Sequence, residues 1–366
     1  MNSNSNEHMP SWLSPEWLTS ALRQKETIDC DVSVESYNCK VLTGGLMAST
    51  LLLSLKYIGG KGSEPPTVIG KFPSSDISSR LAGKEMLAYE REVNFYNYLA
   101  SKLSMRVPGC YFAEIDVGSA DFSLLLEDLN PATLATSESE YSLNYAEQSI
   151  DQLVLLQRDT WSDNTIQSIP WVLDYSDPKY IVSIKDWAVK GWDILCSVAD
   201  ERLPTEHQRL GKQLIANLET WSRHIKNRAC LSHCDYRFAN VLYSDKEAIT
   251  VDWQTIHWGS PGADLAYFLV NSLSVKQFQM WQSRLRERYF KGIGEHGIPY
   301  TQEESDFDFD MGIIYCILML MVTSYGIGSS GLSIPAKNQL LDAISKVMPL
   351  AEQLNVLRIL KERELL

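Results

Sequence analysis

The stretch LSHCDYRFANVLY, residues 231–243, sets His233, Asp235 and Asn240 between two apolar ends, and ITVDWQ follows at residues 249–254. The three residues read H-x-D-x-x-x-x-N, with a carboxylate and a carboxamide at either end of one short loop. Phosphoryl transfer needs such a pair. Asp235 can accept the proton of an attacking hydroxyl, and Asn240 offers an oxygen to Mg²⁺. The strand-like ITV then delivers Asp252, a second hard oxygen of the kind Mg²⁺ prefers. Base and both metal ligands fall within 18 positions, 235 to 252 inclusive. The plain alternative is a polar loop with a hydrogen-bonding Asp and Asn.

Such chemistry also needs positive charge over the nucleotide phosphates. Lys71 closes the apolar run TVIGK, and Glu92 follows 21 residues later on a helix-patterned segment. A lysine buried under a sheet is costly unless paired, so Lys71 and Glu92 are expected to form an ion pair, with Lys71 reaching the α- and β-phosphates. Glu90 is the rival partner. The turn TGGLMAST, residues 43–50, sits where backbone amides could cover the phosphates; Gly44 and Gly45 permit close approach, and Ser49 and Thr50 complete the candidate nucleotide contact. A simple hairpin turn explains the same residues. The later cluster GIGSSG, residues 326–331, lacks a lysine and reads as a loop.

Outside these motifs the chain divides by pattern. Ser14 reads as an N-cap before Pro15 and Glu16. DVSVESYNCKVL, STLLLSLKYI and PTVIGKF read as three strands. LAGKEMLAYEREVNFYNYLA reads as one helix with Leu81, Met86, Leu87, Val93, Tyr96 and Leu99 on its apolar side. GCYFAEIDV and DFSLLLEDL read as a closing hairpin. From about Asn130 the pattern is helical, interrupted near 229–256 by short strands. TSESEYS (136–142) and TQEESDFDFD (301–310) read as solvated loops or helix starts. The expected organisation is an N-terminal helical extension (1–29), a strand-rich nucleotide-binding lobe (30–128) and a larger helical lobe (129–366).

The 366 residues are 45% hydrophobic and 22% charged, the composition of a soluble globular protein. A net charge of -13 argues against nucleic acid or an anionic membrane as partner, since both need a basic face. Seven cysteines without a CxxC pair suggest free thiols and a cytoplasmic setting. The most apolar run, GIIYCILMLMV at 312–322, is shorter than the ~20 residues a membrane helix needs and reads as a buried helix.

HCDYRFANVLY, ITVDWQTIHWGSPGADLAYFL and REVNFYNYLA together resemble the aminoglycoside phosphotransferase and choline kinase-like superfamily, in its ecdysteroid-kinase-like branch, over roughly residues 30–345. The resemblance implies an α+β, protein-kinase-like, two-lobed fold, ATP with Mg²⁺, and a small-molecule hydroxyl acceptor. It also implies that Asp264 braces the catalytic loop and that LLLEDL holds adenine through backbone groups near Glu127 and Leu129. Two positions depart from the family pattern. Cys234 replaces the usual glycine, a swap that suits most sites except one with positive φ, and the metal-binding triplet reads Asp252-Trp253-Gln254. Arg237, two residues after the base, could steady the transferred phosphate or serve as a structural arginine. Trp161, Trp171, Trp187, Trp192 and Trp221 are expected mostly in the core, with one or two free to stack on an acceptor. A catalytically silent nucleotide- or metabolite-binding protein, and a nucleotidyl- or GTP-dependent transferase, are the competing readings.

Overall fold

The computed structural model describes residues 9–42, 48–135, 141–225, 228–244, 247–329 and 332–362. Gly44 and Gly45 lie outside them. The chain forms two compact units, one of residues 1–102, 107–132 and 251–254, the other of 103–106, 133–250 and 255–366.

The first unit is built on five antiparallel strands in the order β1-β2-β3-β5-β4: β1 Ser33–Leu42, β2 Ala48–Ile58, β3 Thr67–Pro73, β4 Cys110–Asp116 and β5 Asp121–Glu127. Alternation along β3 buries Val68, Gly70 and Phe72 on one face. Helix α1, Pro15–Gln24, covers that face with Leu18, Ala21 and Leu22, and Ser14 caps it by accepting from the Trp17 amide (3.2 Å). Gly70 has no room for a side chain, since a Cβ there would come within 2.7 Å of the Phe72 ring.

The helix expected over 81–100 is broken. Helix α2 (Ile77–Glu85) ends before Leu87, whose φ of 55° turns the chain, and α3 runs Ala88–Asn94. Tyr89 packs directly on Gly83, where a Cβ would meet its ring at 2.5 Å. Residues six apart on a straight helix cannot touch in this way, so the contact requires the break. Leu81, expected on the apolar side, is exposed. A π-turn over Phe95–Leu99 follows α3.

The second unit is mainly helical. Short strands β6 (Thr133–Leu134), β7 (Leu173–Asp174), β8 (Cys230–Ser232), β9 (Val241–Tyr243), β10 (Ala248–Thr250) and β11 (His257–Gly259) form two small sheets, β10-β9-β6 and β7-β11-β8. Around them lie α4 (Leu143–Thr160), α5 (Asn164–Gln167), α6 (Pro178–Ala199), α7 (Thr205–Ala216), α8 (Leu218–Ile225), α9 (Gly262–Ser272), α10 (Val275–Glu295), α11 (Gln302–Ser329), α12 (Ile334–Gln353) and α13 (Val356–Glu362).

Helix α11 corrects two expectations and decides a third. It spans 28 residues and is long and apolar enough to cross a membrane, so the argument from a short run fails. Burial places it instead: 67% of its most apolar window is inside the protein. Of the two readings of the acidic segment at 301–310, the helix start holds: it begins α11, with Asp308 buried against Arg228 (3.0 Å) and Tyr300 (3.0 Å). Gly326 and Gly328 are helical rather than looped. Close crossings need small residues here. A Cβ on Gly262 would lie 1.9 Å from the Asp308 carbonyl oxygen, and one on Gly312 would lie 2.2 Å from the Gly262 carbonyl oxygen.

Candidate active site

In the first unit, Lys71 occupies the face of β3 opposite the α1 core. Its Nζ donates to Glu92 Oε1 (2.5 Å), to Glu92 Oε2 (2.7 Å) and to Asp252 Oδ1 (3.1 Å). Glu92, not Glu90, takes the lysine. The cluster is nearly dry, with Lys71 12% and Glu92 2% exposed and Asp252 opened to 30%. Burial disfavours the lysine's charge, but the two carboxylates outweigh it and hold the proton more tightly than on a free lysine. Burial lifts the Glu92 carboxyl above its ordinary range, against the pull of Lys71.

The DWQ triplet is anchored to the same unit. Trp253 is fully buried and stacks on Phe95 of the π-turn, with ring centroids 3.9 Å apart and planes at 7°. Its backbone N–H donates to Glu92. Asp252 itself has a φ of 68°, a left-handed conformation for a residue with a Cβ. Thr50 lies opposite Lys71 in the sheet and shares its face. Ser49 lies opposite Phe72 and is buried with the α1 core, so its side chain is not beside Lys71. The Glu127 amide already donates to the Gly109 carbonyl (2.8 Å), and the Leu129 carbonyl accepts from Ala132 (2.7 Å).

In the second unit the opening motif is the end of strand β8 (Cys230–Ser232), a bent segment over 233–237 and a 3-10 turn at Phe238–Asn240. Alternation sorts its side chains: Tyr236 and Phe238 are buried, while Asp235 and Arg237 lie on the open side. The Asn240 Nδ2 group donates to both the backbone oxygen and Oδ2 of Asp235, each at 2.8 Å. Arg237 Nε pairs with Asp235 Oδ1 (3.0 Å), so it rests on the aspartate rather than standing apart from it.

The backbone of this loop is gripped from several elements. Asp264 of α9, fully buried, accepts from the amides of His233 (2.7 Å) and Cys234 (2.8 Å). Thr255 Oγ1 donates to the His233 carbonyl (2.7 Å), and the hydroxyl of Tyr315 on α11 donates to that of Cys234 (2.9 Å). Cys234 has a φ of 68°, the one conformation in which cysteine was not expected to replace glycine. Burial raises the Asp264 carboxyl above its usual range, against His233 and the two amides.

Sequence reasoning missed Thr255, Tyr315 and the stacking role of Trp253. A lone tyrosine inside the apolar run GIIYCILM was the available signal for Tyr315, because a buried phenol needs a hydrogen-bond partner. Of the tryptophans, Trp192 and Trp221 are core residues, Trp221 donating to the Met311 carbonyl (3.3 Å). Trp161 packs edge-on against Tyr300.

The sequence profile of the phosphotransferase enzyme family matches residues 78–303, more than half of the chain. The chain belongs to the phosphotransferase enzyme family. This phosphotransferase is similar in structure to choline kinase from Cryptosporidium parvum Iowa II, at a TM-score of 0.58 and 11% identity over 96% of this chain and 98% of that one. A putative aminoglycoside phosphotransferase from Ralstonia eutropha JMP134 aligns at a TM-score of 0.56 and 14% identity, covering 93% and 96%. The streptomycin–ATP complex of APH(2'')-IIa aligns at 0.50 and 16%, covering 93% and 97%. No curated protein matches the chain. The phosphotransferase thus has the kinase-like α+β fold of these proteins, a small sheet-based part and a larger helical part.

Proposed function

We propose that this phosphotransferase moves the γ-phosphoryl group of ATP to a hydroxyl of a small molecule. The observation that carries this reading is the Lys71 ammonium held between Glu92 and Asp252. Burying that cluster gains the fold little, since apolar side chains of equal volume would serve as well or better. It suits a site that must orient phosphates.

In the proposed reaction Lys71 orients the α- and β-phosphates, with Glu92 fixing its position. Asp235 takes the proton of the acceptor hydroxyl as the new P–O bond forms, the β,γ-bridging P–O bond breaks and ADP leaves. Arg237 steadies the Asp235 carboxylate and the transferred group. Backbone groups near Glu127 and Leu129 receive the adenine, and Thr50 lies on the Lys71 face beside the phosphates. Asn240 and Asp252 suit Mg²⁺. The Asn240 N–H groups are committed to Asp235, which leaves its carboxamide oxygen as the available atom, and Asp252 adds a partly exposed carboxylate. Among the described residues no three His, Cys, Asp or Glu side chains gather as a metal cage. Mg²⁺ does not need one, because it is held through one or two carboxylates together with substrate phosphates. When bound, it would neutralise charge on the phosphate oxygens.

ATP as donor is supported by the APH(2'')-IIa complex, which contains it. An aminoglycoside 2'-phosphotransferase of this fold is described with GDP, which makes GTP the rival donor. Small hydroxyl acceptors are supported by the choline kinase and by the streptomycin complex. Free cysteines at all seven positions fit a reducing cytoplasm. The test is nucleoside diphosphate release from ATP and from GTP, with Mg²⁺ or EDTA, across a library of hydroxylated metabolites. Acceptor-dependent, Mg²⁺-dependent ADP release is expected. Tight ATP binding with no release against any acceptor would show a silent kinase-fold protein instead.

A further inference from the structure

We propose that Tyr315 is a positioning residue that holds Cys234 in its left-handed conformation and so sets where Asp235 is presented. The proposal rests on the reading of Asp235 as the base. Three observations meet at one peptide. Cys234 has a φ of 68°, which is unfavourable for any residue with a Cβ. Its N–H is held by Asp264 Oδ1 (2.8 Å) and its C=O by the Tyr315 hydroxyl (2.9 Å), both in the buried interior of the second unit. The two gripping side chains stand on α9 and α11, which cross without room for a Cβ at Gly262 or Gly312. Those glycines lie two residues before Asp264 and three before Tyr315, so the crossing fixes the spacing of the grip.

The strain must be held from both sides. Without the Tyr315 hydroxyl, the Cys234 carbonyl loses its donor, φ relaxes towards negative values, and the peptide leading into Asp235 rotates. Glycine at 234 would carry no penalty at positive φ and would not need the second grip. The burial of a tyrosine within an apolar helix then has a purpose: it compensates for the cysteine.

The experiment compares wild type, Y315F, C234G and the double variant by hydrogen–deuterium exchange and by basal ADP release from Mg-ATP. Y315F is expected to speed exchange at residues 233–235 while α11 stays protected. It should lower kcat roughly three- to tenfold, the scale of one lost hydrogen bond, with the nucleotide KM unchanged. Adding C234G to Y315F should restore slow loop exchange and most of the lost kcat. Faster exchange throughout α11, no change at the loop, or no recovery in the double variant would each overturn the proposal. Failure of the base reading shows separately, as normal turnover in Asp235→Asn with the loop-exchange result intact.

Discussion

The two groups of candidate residues, one in each unit, are held by opposite means. In the sheet-based unit, Lys71, Glu92 and Asp252 fix one another directly through their charged heads, in a nearly dry setting. In the helical unit the residues proposed for the chemistry do little of the holding. Asp264, Thr255 and Tyr315 grip the backbone of residues 233–234, and Asp235 is left on the open side with Arg237, in contact with the buried Asn240. The difference suits the proposed tasks. A phosphate anchor must keep its charge and position at once, which a mutual ion pair achieves. A base must keep a lone pair free for a proton, so its position is better set through the chain behind it.

That contrast can be broken first at the base. Asp235→Asn keeps the shape of the side chain and its contact with Asn240 but cannot take a proton. Turnover should fall by roughly 10²–10⁴, while calorimetric titration finds Mg-ATP binding near that of wild type. Loss of nucleotide binding in this variant would mean that the division of labour between the two halves is wrong.

Lys71→Met attacks the other half, and here fold and function should fail together. Removing one partner of a buried pair costs roughly 3–5 kcal/mol, visible as a lower thermal midpoint alongside weakened ATP positioning. The loss should also depend on pH. Burial already raises the Glu92 carboxyl, and Lys71 opposes that rise. A raised carboxyl pKa stabilises the fold below its unfolded value, and that stability is lost as pH climbs through the folded one. Without the lysine the shift grows, so the stability gap from wild type should widen as pH rises above the ordinary carboxylate range. A gap that narrows as pH rises would show that Glu92 is not controlled by Lys71.

The smallest effect is expected at Arg237. Its pair with Asp235 is half exposed, with 44% of the arginine side chain open, and exposed pairs contribute little. Arg237→Ala should lower kcat roughly two- to fivefold and leave acceptor KM alone. A raised acceptor KM with normal kcat would make Arg237 an acceptor-binding residue.

These residues also show what a sequence can disclose. Asp235, Asn240, Asp252, Lys71 and Glu92 were legible because charge at fixed spacing beside apolar runs is costly unless used. The strands of the sheet were legible by alternation. The break at Leu87 was not, because it answers to Tyr89 packing on Gly83, a tertiary contact that leaves no local mark. The side on which Ser49 falls depended on register with Phe72, which periodicity alone does not give. Helix α11 was read as a short core segment because its polar first turns hide its length, and the fit of Asp308 to Arg228 lies 80 residues apart. Residues 251–254 read as a continuation of the helical part, yet they cluster with the sheet.

The order of the chain has a consequence for synthesis. As the polypeptide leaves the ribosome, Lys71 emerges 181 residues ahead of Asp252, and the Cys234 carbonyl emerges 81 residues ahead of Tyr315. At roughly 5–20 residues per second, the lysine waits about ten to forty seconds for its second carboxylate. The loop at 233–235 cannot take its final shape until α11 has been made. A ribosome-bound fragment ending before residue 315 would therefore carry every side chain proposed for catalysis and still lack the geometry to use them, so that competence arrives late and all at once.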